Sequence, residues 1–199
     1  MEKLSQDEKI ASFQNELDCI KNKSIKEAAT KMITELIPNY FWTVAAASTG
    51  KYHPSYAQGE GGLYRHTLAA TRIAIGMFPL TNFTDDEKDM IIVALIMHDS
   101  FKHGTNYSKY TCADHPVIAA THVAAYCEMW LPEEYGLELA DKLSDLIITH
   151  MGQWNTDWKT KKEIMPKPKT ATQRFVHMCD YLASRKYLEF NFSEVVKRD

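Results

Sequence analysis

The sequence predicts an all-α fold, a single helical bundle with N-terminal helices. Serine or threonine is repeatedly followed three residues later by glutamate, the capping-box pattern that opens helices. Apolar residues recur at helical spacing along most of the chain, and stretches of strict apolar–polar alternation are scarce. A chain of 199 residues is within the usual range of one domain and is long enough to bury a core.

The N-terminal region is predicted to form two helices. Capping-box patterns at residues 5–8 and 24–27 place helix starts near residues 6 and 25. The second helix should run to about residue 37, because Pro38 disfavours helical geometry in the residue before it. One apolar face of the first helix would carry Phe13, Leu17 and Ile20.

The middle of the chain is predicted to form a loop followed by two buried helices. Residues 39–62 mix aromatic residues with glycine, serine and proline, a composition typical of a long structured loop. A helix over about 63–78 presents His66 on an otherwise apolar stripe. The next helix follows a capping box at 84–87 and reads MIIVALIM over 90–97, apolar on all sides. It should therefore lie at the centre of the bundle.

The second half is predicted to form three more helices. A fifth helix should span about 116–130, because its first residue is a proline. A sixth, over about 137–150, would end on His150. Residues 152–170 are polar and contain prolines, which is typical of a loop, and a last helix should span about 171–189. No internal repeat or linker separates these elements, so they should form one domain.

The composition, 45% hydrophobic and 25% charged, is that of an ordinary soluble protein. A formal net charge of -3 gives no general attraction to nucleic acid or anionic membrane, although a local basic groove is compatible with it. The first residues, MEKLSQDEKI, lack the apolar core of a signal peptide, and no later segment has the long uncharged run of a membrane helix. We expect a cytoplasmic protein with no membrane contact. The apolar surfaces of its N-terminal helices would either pair two chains in a homo-oligomer or close the core.

Histidine and aspartate side chains occur where the pattern predicts burial, at helix ends or on apolar stripes. They are His66, His98, Asp99, His150 and Asp180. A lone histidine on an apolar face is more often a packed core residue than a metal ligand. A buried carboxylate, however, needs a partner, and a divalent ion bound by clustered histidine and aspartate provides one for all of them. The four cysteines form no CxxC pair, so the ligands should be nitrogen and oxygen atoms.

The order of these residues resembles the H…HD…D signature of the HD-domain metal-dependent phosphohydrolases. The resemblance covers roughly residues 40–190. Within the family, the sequence most resembles exoribonuclease-type and phage-type HD domains. The matching stretches are GEGGLYRHTL at 59–68, MHDSFK at 97–102, DHP at 114–116, THMG at 149–152 and HMCDYLASRK at 177–186. It implies that residues 39–199 form one HD domain, with residues 1–38 as helices packed on it in the same structural unit.

The resemblance also implies which residues bind metal. One ion would be held by His66, His98, Asp99 and Asp180, and members with two ions add histidines that match His115 and His150. Many relatives have a second consecutive histidine where this chain has Met151, a poor ligand for a hard ion, so one site is expected and a second is possible. His122, seven residues after His115, is a rival for the second site. Mn, Fe, Co, Ni, Mg and Zn all suit such ligands.

The expected chemistry is hydrolysis of a phosphoester, because a divalent ion activates water and withdraws charge from a phosphoryl oxygen. Asp99 would be catalytic, binding metal and positioning water, and Lys102 would be catalytic and bind the phosphate. Arg185 is a further candidate for substrate binding. His53, His103 and His177 would serve in packing or in support of the ligands. Aromatic residues of two loops would either stack a nucleobase or pack the core: Tyr40, Phe41, Trp42, Tyr52, Tyr56, Trp154 and Trp158.

Four functions compete on this evidence. The first is hydrolysis of a nucleotide phosphoester, of 5′-nucleotidase or nucleoside triphosphate type. The second is a phosphodiesterase acting on single-stranded or cyclic oligonucleotides, and the third is a non-catalytic, metal-bound nucleotide sensor. A purely structural bundle would have to bring the same residues together without a role for them. Modest acidity and the lack of a basic stripe disfavour long nucleic acid, so a small nucleotide is the expected substrate.

Overall fold

A computed structural model describes residues 4–47, 53–157, 159–188 and 190–198. The predicted all-α class is confirmed: within these residues the chain forms eight α-helices, and its β-structure is one isolated bridge between Thr156 and Glu163. The helices are α1 (Gln6–Ser12), α2 (Gln14–Asp18), α3 (Lys23–Glu35), α4 (Gly62–Met77), α5 (Asp85–Met97), α6 (His115–Trp130), α7 (Glu133–Ile148) and α8 (Ala171–Ala183). Short 3-10 turns occur at Asn39–Trp42, Ser55–Ala57, Phe78–Leu80 and Gly152–Trp154.

Two of the three predicted capping boxes form. Those at residues 5–8 and 84–87 open α1 and α5 with both reciprocal hydrogen bonds. The box predicted at 24–27 does not form, because Asn22 is the N-cap and its side-chain oxygen accepts from the backbone N–H of Ser24 and Ile25, so α3 begins at Lys23 rather than near residue 25. The backbone N–H of Asn22 donates to a carboxylate oxygen of Asp89 at 2.8 Å, which fixes the cap two residues before Ser24.

Three predicted boundaries are also corrected. The first helix is interrupted at Phe13, where φ is -114° and ψ is 14°, so it becomes α1 and α2. Helix α7 begins right after Pro132 rather than near residue 137, and it ends at Ile148, so His150 lies in the turn that follows. Helix α8 ends at Ala183 rather than near 189, where the backbone N–H of Ser184 closes the last turn.

Helix α5 lies at the centre of the bundle, as its all-round apolar sequence predicts. Every residue from Ile91 to Met97 is buried, and the helix contacts α3, α4, α7 and α8. Helices α6 and α7 are joined by only two residues and pack along each other as a helical hairpin. Because α5 is covered on all sides, the residues that directly follow it enter the interior rather than solvent.

The N-terminal helices are tied to the rest of the bundle by buried contacts. The ring of Phe13 packs edge-on against Trp42 and Tyr64, with ring centroids 5.8 and 5.4 Å apart. Glu16 of α2 accepts from Nε of Arg72 of α4 at 2.6 Å, and both side chains are buried. A buried carboxylate without this partner would be strongly destabilising.

The segment at 190–198 returns across α4 to the start of α5. Arg72 donates to the backbone oxygen of Phe192 at 2.9 Å. Arg198 donates to Asp85 at 2.8 Å and also contacts the buried Asp89. This segment therefore helps to hold α4 and α5 together on the side where α2 ends. In the described part of the chain, none of the helices has the length and apolar character that crossing a bilayer requires.

We expect the N-cap of α8 to contribute measurably to stability. Thr170 Oγ1 accepts from the backbone N–H of Gln173 at 3.1 Å, and the Gln173 side chain accepts in return from the backbone N–H of Thr170 at 2.9 Å. Thr170→Ala should lower the free energy of unfolding by about 1 kcal/mol. Urea denaturation followed by circular dichroism measures the change. Thr170→Ser keeps the capping hydroxyl and is the matched control, so an equal loss in both variants would contradict the capping role.

Candidate metal centre

Six histidine and aspartate side chains from five parts of the fold meet at the C-terminal end of α5. We call them the His/Asp cluster: His66 on α4, His98 and Asp99 directly after α5, His115 at the start of α6, His150 after α7, and Asp180 on α8. The structure thus brings together all the residues that the sequence singled out as metal ligands. Five of the six are at most 1% exposed, and the side chain of Asp180 is 17% exposed, which leaves it as the member nearest solvent.

Asp99 lies in the middle of the His/Asp cluster. Its Oδ1 is 2.9 Å from Nε2 of His115 and 3.7 Å from Nε2 of His150. Its Oδ2 is 3.6 Å from Nε2 of His66 and 3.5 Å from Nε2 of His98. Each carboxylate oxygen therefore faces two imidazole nitrogens, so one aspartate can share ligands with two groups of histidines.

Two groups of three ligand atoms are close enough to hold an ion. The first is His66, His98 and Asp180, and the second is His98, Asp99 and His150; within each, the atoms lie within 4.8 Å of one another. Asp180 Oδ1 is 2.9 Å from Nε2 of His66 and 3.6 Å from Nε2 of His98. Imidazole and carboxylate together suit several divalent transition metals as well as zinc.

Backbone hydrogen bonds fix the orientation of three of the imidazoles. The Nδ1 atoms of His98, His115 and His150 lie 2.6, 2.8 and 2.7 Å from the backbone carbonyl oxygen of the third residue before each. A carbonyl oxygen only accepts, so Nδ1 carries a proton, and in the neutral imidazole that could bind an ion Nε2 keeps its lone pair. A second hydrogen bond of this kind is the usual support of a metal-binding histidine.

Several polar atoms of the His/Asp cluster are buried without a hydrogen-bond partner among the described residues. Whether an ion fits the site can be judged from these atoms. Nε2 of His98, Nε2 of His115 and Oδ1 of Asp99 are buried and lack such a partner. Two of these atoms, on His115 and Asp99, are 2.9 Å apart, and with His115 neutral and its proton on Nδ1 neither atom has a proton to donate. Buried polar groups in this state are costly, and a cation bound by them removes the conflict. The residues therefore fit a divalent metal ion.

Charges inside the His/Asp cluster keep its carboxylates ionised. Burial alone would raise the pKa of Asp99, but the charges of Lys102 and His98 outweigh it and hold that pKa well below its usual range. Burial and the charge of His98 lower the pKa of His150 to about 3, so this imidazole is neutral. Burial also opposes the charged form of His98, but Asp99 and Asp180 outweigh it and raise the pKa to about 10. An ion bound at His98 would therefore release a proton.

A cleft of about 440 Å³ opens beside the His/Asp cluster. One part of its wall is formed by His53, Lys102 and Asp180, and another by Trp154 and Arg185. The Lys102 ammonium donates to Oδ2 of Asp99 at 2.5 Å, so it lies between the ligands and the cleft. Helix α5 ends at Met97, and the turns that follow place the Lys102 ammonium against Asp99. Arg185 lines the same cleft with its guanidinium against the ring of Tyr181.

The positions of His115 and His122 decide which of them belongs to the His/Asp cluster. The ring of His122 stacks on Phe101 with centroids 4.3 Å apart, and its Nε2 lies 3.2 Å from the hydroxyl of Thr105. His115, not His122, faces Asp99. Met151 lines the cleft.

Two histidines predicted to serve in packing or support have defined places beside the site. His53 lines the cleft with its ring 5.4 Å from that of His66, and burial lowers its pKa to about 3. His177 donates from Nδ1 to the backbone oxygen of His150 at 2.7 Å and so supports the turn that carries this ligand. Gly152 permits this approach, since its φ is +57° and a Cβ there would lie 2.2 Å from His177. No spacing rule in the sequence connects these segments, so only the fold reveals the contacts.

Most of the aromatic residues considered for base stacking are used elsewhere. Phe41 and Trp42 are core residues, and the hydroxyls of Tyr40 and Tyr56 donate to backbone oxygens at 2.8 and 2.7 Å. Trp154 is the member of the predicted set that lines the cleft. Tyr52 and Trp158 lie outside the described residues.

The chain matches no known family model, no curated protein and no solved structure. What the fold and the site define is therefore an all-α protein with buried histidine and aspartate groups that could hold a metal ion.

Proposed function

We propose that the protein is a metal-dependent phosphohydrolase of the HD-domain type that hydrolyses a phosphoester of a nucleotide. The observation that carries the proposal is the His/Asp cluster, whose buried nitrogen and oxygen atoms lack partners and adjoin a cleft lined by two cations, Lys102 and Arg185. Clustered ligands and cations together suit an anionic substrate. The order of the ligands along the chain agrees with the HD signature that the sequence resembles.

The residues of the His/Asp cluster would bind the ion and orient the water. His66, His98, Asp99 and Asp180 would hold one ion, and His115 and His150 extend the same ligand set. A bound divalent ion supplies Lewis acidity and a nucleophilic water at neutral pH. Asp99 can orient that water, because one of its two oxygens accepts from Lys102 and the other has no hydrogen-bond partner in the described part of the chain.

Lys102 is placed to bind the phosphate. Its ammonium already contacts Asp99 at 2.5 Å and its side chain is 12% exposed, so it can also reach a group in the cleft. There it would offset the charge that grows on the phosphoryl oxygens during hydrolysis. Arg185, on the same cleft, offers a second cation for substrate binding.

A small substrate agrees best with the size of the site. A cleft of about 440 Å³ is typical for a small molecule rather than for a polymer that needs many phosphate contacts. We therefore propose a small nucleotide as the substrate, met in the cytoplasm, and not long nucleic acid.

Phosphate release from a panel of nucleoside mono- and triphosphates, with Mn²⁺ or Co²⁺ added, tests the function. We expect turnover of one class, abolished by a chelator, and chromatography of the product identifies the leaving group. Asp99→Asn, prepared in the same way, controls for contaminating phosphatases. Turnover confined to cyclic dinucleotides or single-stranded oligonucleotides would overturn the proposal in favour of a phosphodiesterase. Tight nucleotide binding without any turnover would overturn it in favour of a sensor.

A further inference from the structure

Part of the cleft wall is a stack of three flat side chains, which we call the stacking wall: Trp154, Tyr181 and Arg185. The rings of Trp154 and Tyr181 are nearly parallel, 12° apart, with centroids 5.6 Å apart. Cζ of Arg185 is 4.2 Å from the centroid of Tyr181 and 6.0 Å from that of Trp154. The three side chains thus form a pre-ordered flat surface on the cleft.

This surface is open to a ligand. Trp154 lines the cleft and is 45% exposed. The guanidinium of Arg185 donates to the hydroxyl of Ser184 at 2.8 and 3.2 Å, and in the described part of the chain it pairs with no carboxylate. An exposed indole and an unpaired cation on one wall are suited to a ligand that has both a π-face and acceptor atoms.

Another part of the wall of the same cleft carries charged side chains. There Lys102 and Asp180 adjoin the His/Asp cluster, where the proposed function places the phosphoester. The ligand that matches both parts at once has a phosphate at one end and a planar aromatic ring at the other. That description fits a nucleotide and does not fit a sugar phosphate.

We propose that the stacking wall binds the nucleobase of the substrate, with Trp154 against the ring face and Tyr181 and Arg185 behind it. This inference rests on the proposed function and names the feature that selects its substrate. Stacking reads the face that every base has, so all four common bases should benefit. Phosphoesters that lack a base should be poor substrates.

The test compares a nucleotide with its base-free counterpart in the presence of Mn²⁺: adenosine 5′-monophosphate against ribose 5-phosphate, or adenosine triphosphate against tripolyphosphate if triphosphates are the class hydrolysed. We expect kcat/KM to favour the nucleotide by at least about tenfold. Trp154→Ala should collapse this ratio towards one, mainly by raising KM for the nucleotide. Trp154→Phe keeps a ring face and should retain most of the ratio. Trp130→Ala removes an indole that is 60% exposed at the end of α6 and should leave the ratio unchanged.

The outcomes separate this inference from the function on which it rests. Equal turnover of both substrates, unaffected by Trp154→Ala, would overturn base stacking while the phosphohydrolase proposal stands. If neither substrate turns over, calorimetric titration of adenosine 5′-monophosphate still tests the wall. Binding at least about tenfold weaker in Trp154→Ala than in Trp130→Ala supports it, and equal affinities in the two variants overturn it.

Discussion

Asp99→Asn is expected to abolish phosphate release and to weaken metal binding by more than about 100-fold, a larger effect than the loss of a supporting residue. Asparagine keeps the volume of the buried side chain but removes its negative charge. Its amide nitrogen would also face imidazole nitrogens or the Lys102 ammonium, since both carboxylate oxygens of Asp99 have such neighbours. A single substitution therefore disturbs every ligand group that the aspartate shares.

Calorimetric titration with Mn²⁺ and a phosphate-release assay measure the two effects. Circular dichroism should show a helical spectrum like that of the unmodified protein, because the core around α5 is unchanged. Asp141→Asn, an exposed aspartate on α7, is the matched control and should leave both readouts unaltered. Retained turnover in Asp99→Asn would remove this residue from the catalytic centre and the His/Asp cluster with it.

Several features of the fold could be read from local sequence because local physics determines them. The capping boxes at 5–8 and 84–87 need only neighbouring side chains. The uniform apolar run of α5 could be satisfied only at the centre of the bundle, which placed His98 and Asp99 inside. From there the need of a buried carboxylate for partners pointed to His66, His150 and Asp180, whereas His115 followed only from the family resemblance.

The features that sequence reasoning missed depend on contacts between distant segments. Asn22 and Ser24 are both good N-caps, and the choice between them is made by Asp89, 67 residues from Asn22 along the chain. His177 supports the turn of His150 across 27 residues. Neither contact leaves a periodic trace in the sequence. The same holds for the cleft, whose walls come from separate loops and from α8.

The metal-binding part of the site is buried and held in place, whereas the part that faces the cleft is more exposed. All four imidazoles are buried and three of them are oriented by backbone carbonyls, whereas Asp180, Lys102 and Trp154 are partly exposed on the cleft. Ligand positions are thus set by α4, by α8 and by the ends of α5, α6 and α7, whatever occupies the cleft. Substrate choice falls to side chains that can be altered without moving those helix ends.

Removing bound metal is expected to destabilise the whole fold. The His/Asp cluster joins α4, α5, α6, α7 and α8, and its orphan atoms are costly unless a cation partners them. An ion present at about 100 times its dissociation constant stabilises the folded state by about 2.7 kcal/mol if it does not bind the unfolded chain. For a chain of this size that corresponds to a Tm lowered by about 5 to 10 °C when the ion is chelated.

Thermal melts of Mn²⁺-loaded, chelated and reloaded protein measure this shift without reference to any substrate. Reloading should restore the higher Tm, because the ligands return to positions that their backbone hydrogen bonds already favour. Asp99→Asn should melt at one temperature with and without Mn²⁺, while the Asp141→Asn control should respond as the unmodified protein does. A Tm that Mn²⁺ and chelator leave unchanged in the unmodified protein would mean that the orphan atoms of His98, His115 and Asp99 are not partnered by an ion. In that case the cost of burying them would have to be met by the rest of the core.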